Sequence, residues 1–238
     1  IVNSFEILPD SLVIEIGCGD GRLTSELCKK FDFVLGYEID FDIKDKLINN
    51  LSFFDNFEII FDDFLNRNLV CDLDSFTYSN IYVVANLPYY VTTAIIEKLI
   101  SSGIDFIFMN FMVQNEVADR FTAKVGTKEY NSLTVYLNYF FDIKKDFVVN
   151  RKEFTPVPNV DSVVVSFTRK KELFELNDKN HFFKLVRDSF QQKRKTIKNN
   201  LVCYDLEKVN MVLQRSGYDL SVRAEALPVN VFVDLANE

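Results

Sequence analysis

Leu12-Val13-Ile14-Glu15-Ile16-Gly17-Cys18-Gly19-Asp20-Gly21 runs from an apolar, β-branched stretch straight into three glycines at alternate positions. Leu23 and Leu27 then fall on one face of a helix. Strand, glycine turn and helix in succession make a nucleotide-type site, because glycine carries no Cβ and lets the backbone approach a ligand closely. The spacing is G-x-G-x-G and not the G-x-G-x-x-G of dinucleotide binders. That favours S-adenosylmethionine, whose sulfonium and amino-acid portion need no anion cradle, over a pyrophosphate cofactor. Taken alone, such a turn also serves simply to pack a helix on a strand.

Outward from this stretch, Phe33-Val34-Leu35-Gly36-Tyr37 reads as a second strand ending in Glu38-Ile39-Asp40. A carboxylate at that place can accept both ribose hydroxyls, and Glu38 is the candidate. Asp40 precedes a helix start near Phe41, where an N-cap role is expected. The third strand, Phe57 to Phe61, ends in Asp62-Asp63-Phe64-Leu65, and Asp63 is placed to accept a hydrogen bond from the adenine amine of the cofactor. The fourth, Ile81-Tyr82-Val83-Val84-Ala85, leads into Asn86-Leu87-Pro88-Tyr89-Tyr90. There the Asn86 side chain and the Leu87 carbonyl can accept hydrogen bonds from an exocyclic amine, while the stiff Pro88 turn presents Tyr89 to a planar base.

A helix is expected over 92–101, then a fifth strand over 104–109. Residues 132–141 are helical or extended, and two last strands lie at 147–149 and 163–167. The segment Phe154 to Ser162, with prolines at 156 and 158, holds an extended loop that presents Phe154. Strands alternating with helices give an α/β fold with a mostly parallel, doubly wound, Rossmann-like sheet. From about residue 172 the β signals stop, and helical periodicity over 178–192, 205–216 and 228–236 predicts a small C-terminal helical domain. The expected division is 1–172 and 173–238.

With 238 residues, 48% of them hydrophobic, the chain can bury a full-sized core and a small appendage. No apolar run reaches the roughly 18 residues of a membrane span, and no signal peptide is read, so a cytoplasmic protein without a membrane partner is expected. The first residue is Ile1, so the amino terminus is expected to be missing or processed. Cys18, Cys28, Cys71 and Cys203 form no Cys-x-x-Cys pair, and His181 is the one histidine. Neither a metal site nor a His-based nucleophilic triad is expected.

The net charge is −8, unevenly distributed. Residues 1–80 carry 16 acidic and 6 basic side chains, whereas residues 81–238 carry 19 and 21. Lys184 to Lys198 holds six basic residues against Asp188. Within it Lys193, Arg194 and Lys195 are candidate RNA contacts, although a charge run by itself also serves to solvate a helix face.

Together these stretches resemble the ribosomal RNA adenine dimethyltransferase family over nearly the whole chain. Glu15 to Gly21 resembles the cofactor loop, with Gly17 and Gly19 as cofactor-binding positions, Glu38 the ribose acid and Asp62-Asp63 the adenine-binding turn. Asn86 to Tyr89 resembles the catalytic motif, and Phe154 to Ser162 the family's Phe-x-Pro-x-Pro-x-Val-x-Ser segment. Phe190 to Leu201 and Arg223-Ala224-Glu225-Ala226-Leu227 are similar to its small-subunit branch. The chain begins after the family's upstream Gly-Gln-Asn-Phe-Leu element. Ser132 and Lys193 stand where many members carry Arg.

The resemblance implies a class I methyltransferase that uses S-adenosylmethionine to dimethylate adjacent adenines near the 3′ end of small-subunit ribosomal RNA. Its partner would be the immature small ribosomal subunit, and it would act as a monomer. Asn86, Leu87, Tyr89 and Phe154 would be catalytic, Asn86 also touching the cofactor, and no general base would be required. Two rival readings are a methyltransferase-fold RNA-binding assembly factor without turnover and a DNA adenine methyltransferase. The amine-orienting Asn86 speaks against the first and the helical tail against the second.

Overall fold

The computed structural model describes residues 5–88, 90–153 and 159–238. Its framework is a seven-stranded sheet of order β3-β2-β1-β4-β5-β7-β6. The strands are β1 (Ser11–Ile16), β2 (Phe33–Glu38), β3 (Phe57–Phe61), β4 (Asn80–Asn86), β5 (Phe108–Gln114), β6 (Phe141–Val149) and β7 (Ser162–Arg169). The first five are mutually parallel, and β7 runs antiparallel to β5. Connections from β1 run outward to β2 and β3, then cross back to β4 on its other side. The carboxyl ends of β1 and β4 therefore flank a topological switch point, where open α/β sheets bind ligands.

β1 is buried along its whole length, as a central parallel strand covered on both faces must be. Val13 packs in a cluster with Leu27 of helix α1 (Arg22–Cys28), Phe31, Val34, Tyr82 and Val84. The remaining helices are α2 (Lys44–Asn50), α3 (Leu69–Leu73), α4 (Thr92–Ser101), α5 (Asn115–Phe121), α6 (Ser132–Phe140), α7 (Lys179–Ser189), α8 (Ile197–Asn200), α9 (Leu206–Arg215) and α10 (Val229–Asn237).

Three local expectations change. The fifth strand occupies 108–114 and not 104–109. Its polar Asn110 breaks the apolar run in the sequence, but it is fully buried and its amide donates to Asp146 Oδ2 at 3.3 Å. Residues 132–140 are helical because Asn131 and Thr134 close a capping box: Thr134 N–H donates to Asn131 Oδ1, and Asn131 N–H to Thr134 Oγ1. β6 is nine residues long where three were expected. Asp142, Lys144, Lys145 and Asp146 hide its alternation, and charges of this kind suit a strand at a sheet edge.

The chain divides into two compact units, residues 1–118 with 144–169, and residues 119–143 with 170–238. The second boundary lies close to the expected one, but 119–143 joins the helical unit. In that unit Tyr136 donates to the Phe183 carbonyl at 2.6 Å and Tyr130 to the Leu227 carbonyl at 3.1 Å. Phe182 and Phe232 are fully buried there. His181 sits in the first turn of α7, its ring 6.1 Å from that of Tyr204, a packing position.

Candidate functional site

The glycine turn after β1 is built by backbone. Gly17 N–H donates to the Tyr37 carbonyl at 2.8 Å, and Gly21 N–H to Cys18 O at 3.0 Å. Gly17 and Gly21 have φ of +80° and +83°, the left-handed region that other residues enter at a cost. A Cβ on Gly17 would come 3.9 Å from the Asn86 carbonyl oxygen, so the β1 and β4 turns meet back to back. A Cβ on Gly21 would come within 2.8 Å of Leu47, and one on Gly36 within 2.5 Å of both Cys18 Sγ and Ile59. Gly36 escaped the sequence reading, since its need for space comes from residues 18 and 23 positions away.

Glu38 closes β2, almost fully buried, with Oε2 accepting from Gly19 N–H and Oε1 from Asp40 N–H, both at 2.8 Å. Each carboxylate oxygen retains a second lone pair, which is what a vicinal diol requires. Asp40 Oδ1 accepts from Asp42 N–H, the N-cap expected of it. Beyond β3, Asp63 Oδ1 accepts from Leu65 N–H at 2.9 Å, which leaves Oδ2 for a ligand. Phe64 meets Tyr37 edge to face at 5.1 Å.

Beneath the glycine turn, Glu15 is fully buried with neither carboxyl oxygen in a hydrogen bond. Burial drives its pKa up to about 8; the Thr24 hydroxyl and Cys18 thiol lie near enough to soften the shift without bonding in regular geometry, and the Glu38 charge adds to it. At neutral pH Glu15 is therefore a neutral acid. Burial likewise lifts the thiol of Cys28 to about 11 and that of Cys18 well above its ordinary value, so both are unreactive.

Asn86 is the last residue of β4 and is exposed, whereas Leu87 is buried and donates its N–H to Met112 O at 3.3 Å. The Pro88 carbonyl accepts from Val91 N–H at 3.3 Å and from Thr92 Oγ1 at 3.0 Å, which ties the turn to α4. Tyr89 and Phe154 lie outside the described residues.

A cleft of about 140 Å³ opens between these turns. Its lining includes Gly17, Tyr37, Ile39, Asp63, Leu65 and Pro88, with the exposed ring of Tyr90 at its mouth. Gly17 and Asp63 thus share one cavity. Gly19 and Glu38 stand beside it, joined to it through the glycine turn, and the Asn86 backbone abuts Gly17. Largely apolar walls with Asp62 and Asp63 along one side suit a purine bearing an exocyclic amine. Among the described residues no group of three or more His, Cys, Asp or Glu could hold a metal ion, and no helix is long and apolar enough to cross a membrane.

Of the basic triad expected to touch RNA, Arg194 and Lys195 are exposed, whereas Lys193 donates to the Lys128 carbonyl at 2.6 Å within the helical unit. Lys184, earlier in the same run, pairs with Asp188 at 2.6 Å. Lys198 is exposed.

The parallel sheet with its switch point, glycine turn and strand-end acids defines a class I methyltransferase fold. The family described as "Ribosomal RNA adenine dimethylase" matches residues 1–238, and the chain belongs to that family. It is 40% identical to Ribosomal RNA small subunit methyltransferase A of Streptococcus pneumoniae (strain Hungary19A-6) over 246 aligned residues, covering 100% of this chain and 85% of that protein. Among solved structures it resembles a dimethyladenosine transferase from Plasmodium falciparum, with TM-score 0.76, 27% identity and coverage of 94% of this chain and 88% of that one. It also resembles the 23S rRNA methyltransferase ErmE, with TM-score 0.73, 26% identity and coverage of 97% and 91%.

Proposed function

We propose that this chain dimethylates the exocyclic amine of adjacent adenines near the 3′ end of small-subunit ribosomal RNA during assembly of the cytoplasmic small subunit, acting as a monomer with S-adenosylmethionine as donor. The observation that carries this is the meeting of Gly17 and Asn86 at the switch point, beside a cleft edged by Asp63, in a chain that matches the dimethylase family throughout. The donor supplies an electrophilic methyl on a sulfonium. Gly17, Gly19, Glu38 and Asp63 would hold it, with Asn86 at the boundary between donor and acceptor.

An adenine amino nitrogen is a weak nucleophile because its lone pair is delocalised into the ring. Hydrogen bonds from that amine to the Asn86 side chain and the Leu87 carbonyl draw it towards tetrahedral geometry and free the lone pair. The fixing of Leu87 and Pro88 by Met112, Val91 and Thr92 means that the Leu87 carbonyl needs little reorganisation. The target base leaves its stack at a cost of about a few kcal/mol, which stacking on Tyr89 and Phe154 offsets in part. Arg194, Lys195 and Lys198 hold the RNA backbone.

The test is methyl transfer from labelled S-adenosylmethionine to unmethylated small subunits, to naked ribosomal RNA and to DNA, with digestion of the product to nucleosides. Dimethylated adenosine from subunits and none from DNA is expected. A chain that binds subunits with no transfer would be a non-catalytic assembly factor.

A further inference from the structure

We infer that Arg67, Asp72 and Lys98, none of which the sequence singled out, are positioning residues: they clamp the wall against which the donor's nucleobase lies and thereby set the preference for adenine. This rests on the reading of the cleft as the donor's nucleobase site. The wall is the loop after β3, which contributes Asp62, Asp63, Phe64 and Leu65 to the lining. It holds a single three-residue helical turn, Phe64–Asn66, and its chain is extended again at Arg67. Within the loop the Asp63 carboxylate has one anchor, Leu65 N–H at 2.9 Å, and so short a turn needs outside support to hold that anchor in place.

What fixes it comes from behind. Arg67 is forked onto Asp72 of α3, Nε at 3.2 Å from Oδ2 and Nη2 at 2.5 Å from Oδ1, while its Nη1 reaches back to Asp62 Oδ2 at 3.2 Å. The Asp72 side chain is only 5% exposed and also accepts from the Tyr37 hydroxyl at 3.0 Å, and Tyr37 is itself a wall of the cleft. From α4, Lys98 Nζ donates to the Leu65 carbonyl at 2.8 Å and to the Arg67 carbonyl, and stands 5.6 Å over the Phe64 ring. Arg67 and Lys98 thus pin both ends of the loop, and neither lines the cleft.

The two adjacent acids are consequently unequal. Asp62 has both oxygens engaged, Oδ1 by Asp63 N–H at 2.7 Å and Oδ2 by the Arg67 guanidinium, whose charge offsets its own. Asp63 retains Oδ2, an acceptor that meets an amine favourably and the carbonyl of a 6-oxopurine unfavourably. A forked Arg on a nearly buried carboxylate is a stiff brace, unlike an exposed ion pair, and Lys cannot reproduce the fork.

The experiment compares binding of S-adenosylhomocysteine and S-inosylhomocysteine by calorimetry in wild type, Arg67→Ala, Arg67→Lys and Lys98→Met, with donor KM and kcat measured on small subunits. Wild type should prefer the adenosyl ligand. In Arg67→Ala that preference should collapse towards unity and adenosyl affinity fall about tenfold, with Arg67→Lys restoring only part of it. Donor KM should rise by the same factor, while kcat at saturating donor falls far less. Lys98→Met, which keeps the guanidinium fork, supplies a second route to the same loss should Arg67→Ala fail to fold. Lowered melting temperature in both variants with the base preference unchanged would overturn the clamp and leave these residues as ordinary braces. Failure of wild type itself to bind or discriminate would instead sink the assignment of the cleft, and the clamp with it.

Discussion

The carboxyl ends of β1 and β2 share a sheet edge with the carboxyl end of β4, yet they are built in opposite ways. On the β1–β2 side the polar groups are already engaged: Glu38 is nearly buried and both its oxygens hold backbone amides. On the β4 side only the backbone is fixed, through Met112, Val91 and Thr92, while the Asn86 side chain is exposed and Tyr90 is 86% exposed. On the proposed function, the first side would be pre-organised for a donor that returns in every cycle, and the second would receive a base delivered by a large RNA. Loss of a group on the first side should therefore appear as donor affinity, and on the second as turnover.

The largest effect is expected on the β4 side. Asn86→Ala should lower turnover on small subunits about 10³-fold, roughly 4 kcal/mol of transition-state stabilisation, with donor affinity changed far less. Single-turnover kinetics with calorimetry on the same variant separates the two. Near-normal turnover would break the contrast between the sides.

The next test concerns what lies beneath the pre-organised side. Glu15 has its pKa raised by burial from 4.5 to about 8. Below pH 4.5 both folded and unfolded chains hold the proton and Glu15 adds no pH dependence. Between 4.5 and about 8 the unfolded chain has released a proton that the native state keeps, so stability falls as pH rises; above 8 the loss is complete. Glu15→Gln cannot ionise and should lack this slope, unfolding at pH 9 with a stability several kcal/mol above wild type. Denaturant melts of both proteins at pH 5, 7 and 9 check it, and parallel curves would mean that Glu15 is solvated in solution.

Much of this edge was legible because its signals are local. β1 to β4, the three glycines, Glu38 and the Asn86 turn each follow from residues adjacent in the chain, where period and turn chemistry act directly. What escaped depends on distant neighbours. The need for Gly36 comes from Cys18 and Ile59, and the forked pairing of Arg67 is stiff because Asp72 is nearly buried and also held by the Tyr37 hydroxyl. Asn110 disguised β5 because a buried amide with a partner 36 residues away looks like a loop residue in the sequence. Residues 119–143 joined the helical unit for the same reason: Tyr130 and Tyr136 find their acceptors 97 and 47 residues on.

A smaller effect sharpens the donor side. Glu38→Ala should weaken S-adenosylmethionine binding by roughly 1.5–3 kcal/mol, through loss of charge-assisted bonds to the ribose and of the brace on Gly19. Glu38→Gln keeps one acceptor oxygen and should fall between. Titration calorimetry that finds Glu38→Ala binding as wild type does would remove Glu38 from the site.

The smallest effect per residue is expected on the helical unit, where the basic run proves to be of two kinds. All five are exposed, but Lys184 and Lys193 are tied to Asp188 and to the Lys128 carbonyl and so hold the unit's own chain, which makes Arg194, Lys195 and Lys198 the proposed phosphate contacts. Phosphate contacts release counterions, so each one lost should flatten the dependence of log binding on log salt by about 0.7–0.9. Replacing Arg194, Lys195 and Lys198 by Ala should therefore reduce the salt slope of small-subunit binding by about 2 and leave donor affinity as it was. Lys193→Ala should lower the melting temperature by freeing the 124–130 loop while changing the slope by less than one contact's worth. Filter binding between low and moderate salt distinguishes these outcomes. A wild-type slope in the folded triple variant would move the RNA contact off this turn, with Lys144, Lys145, Arg151 and Lys152 the next stretch to substitute.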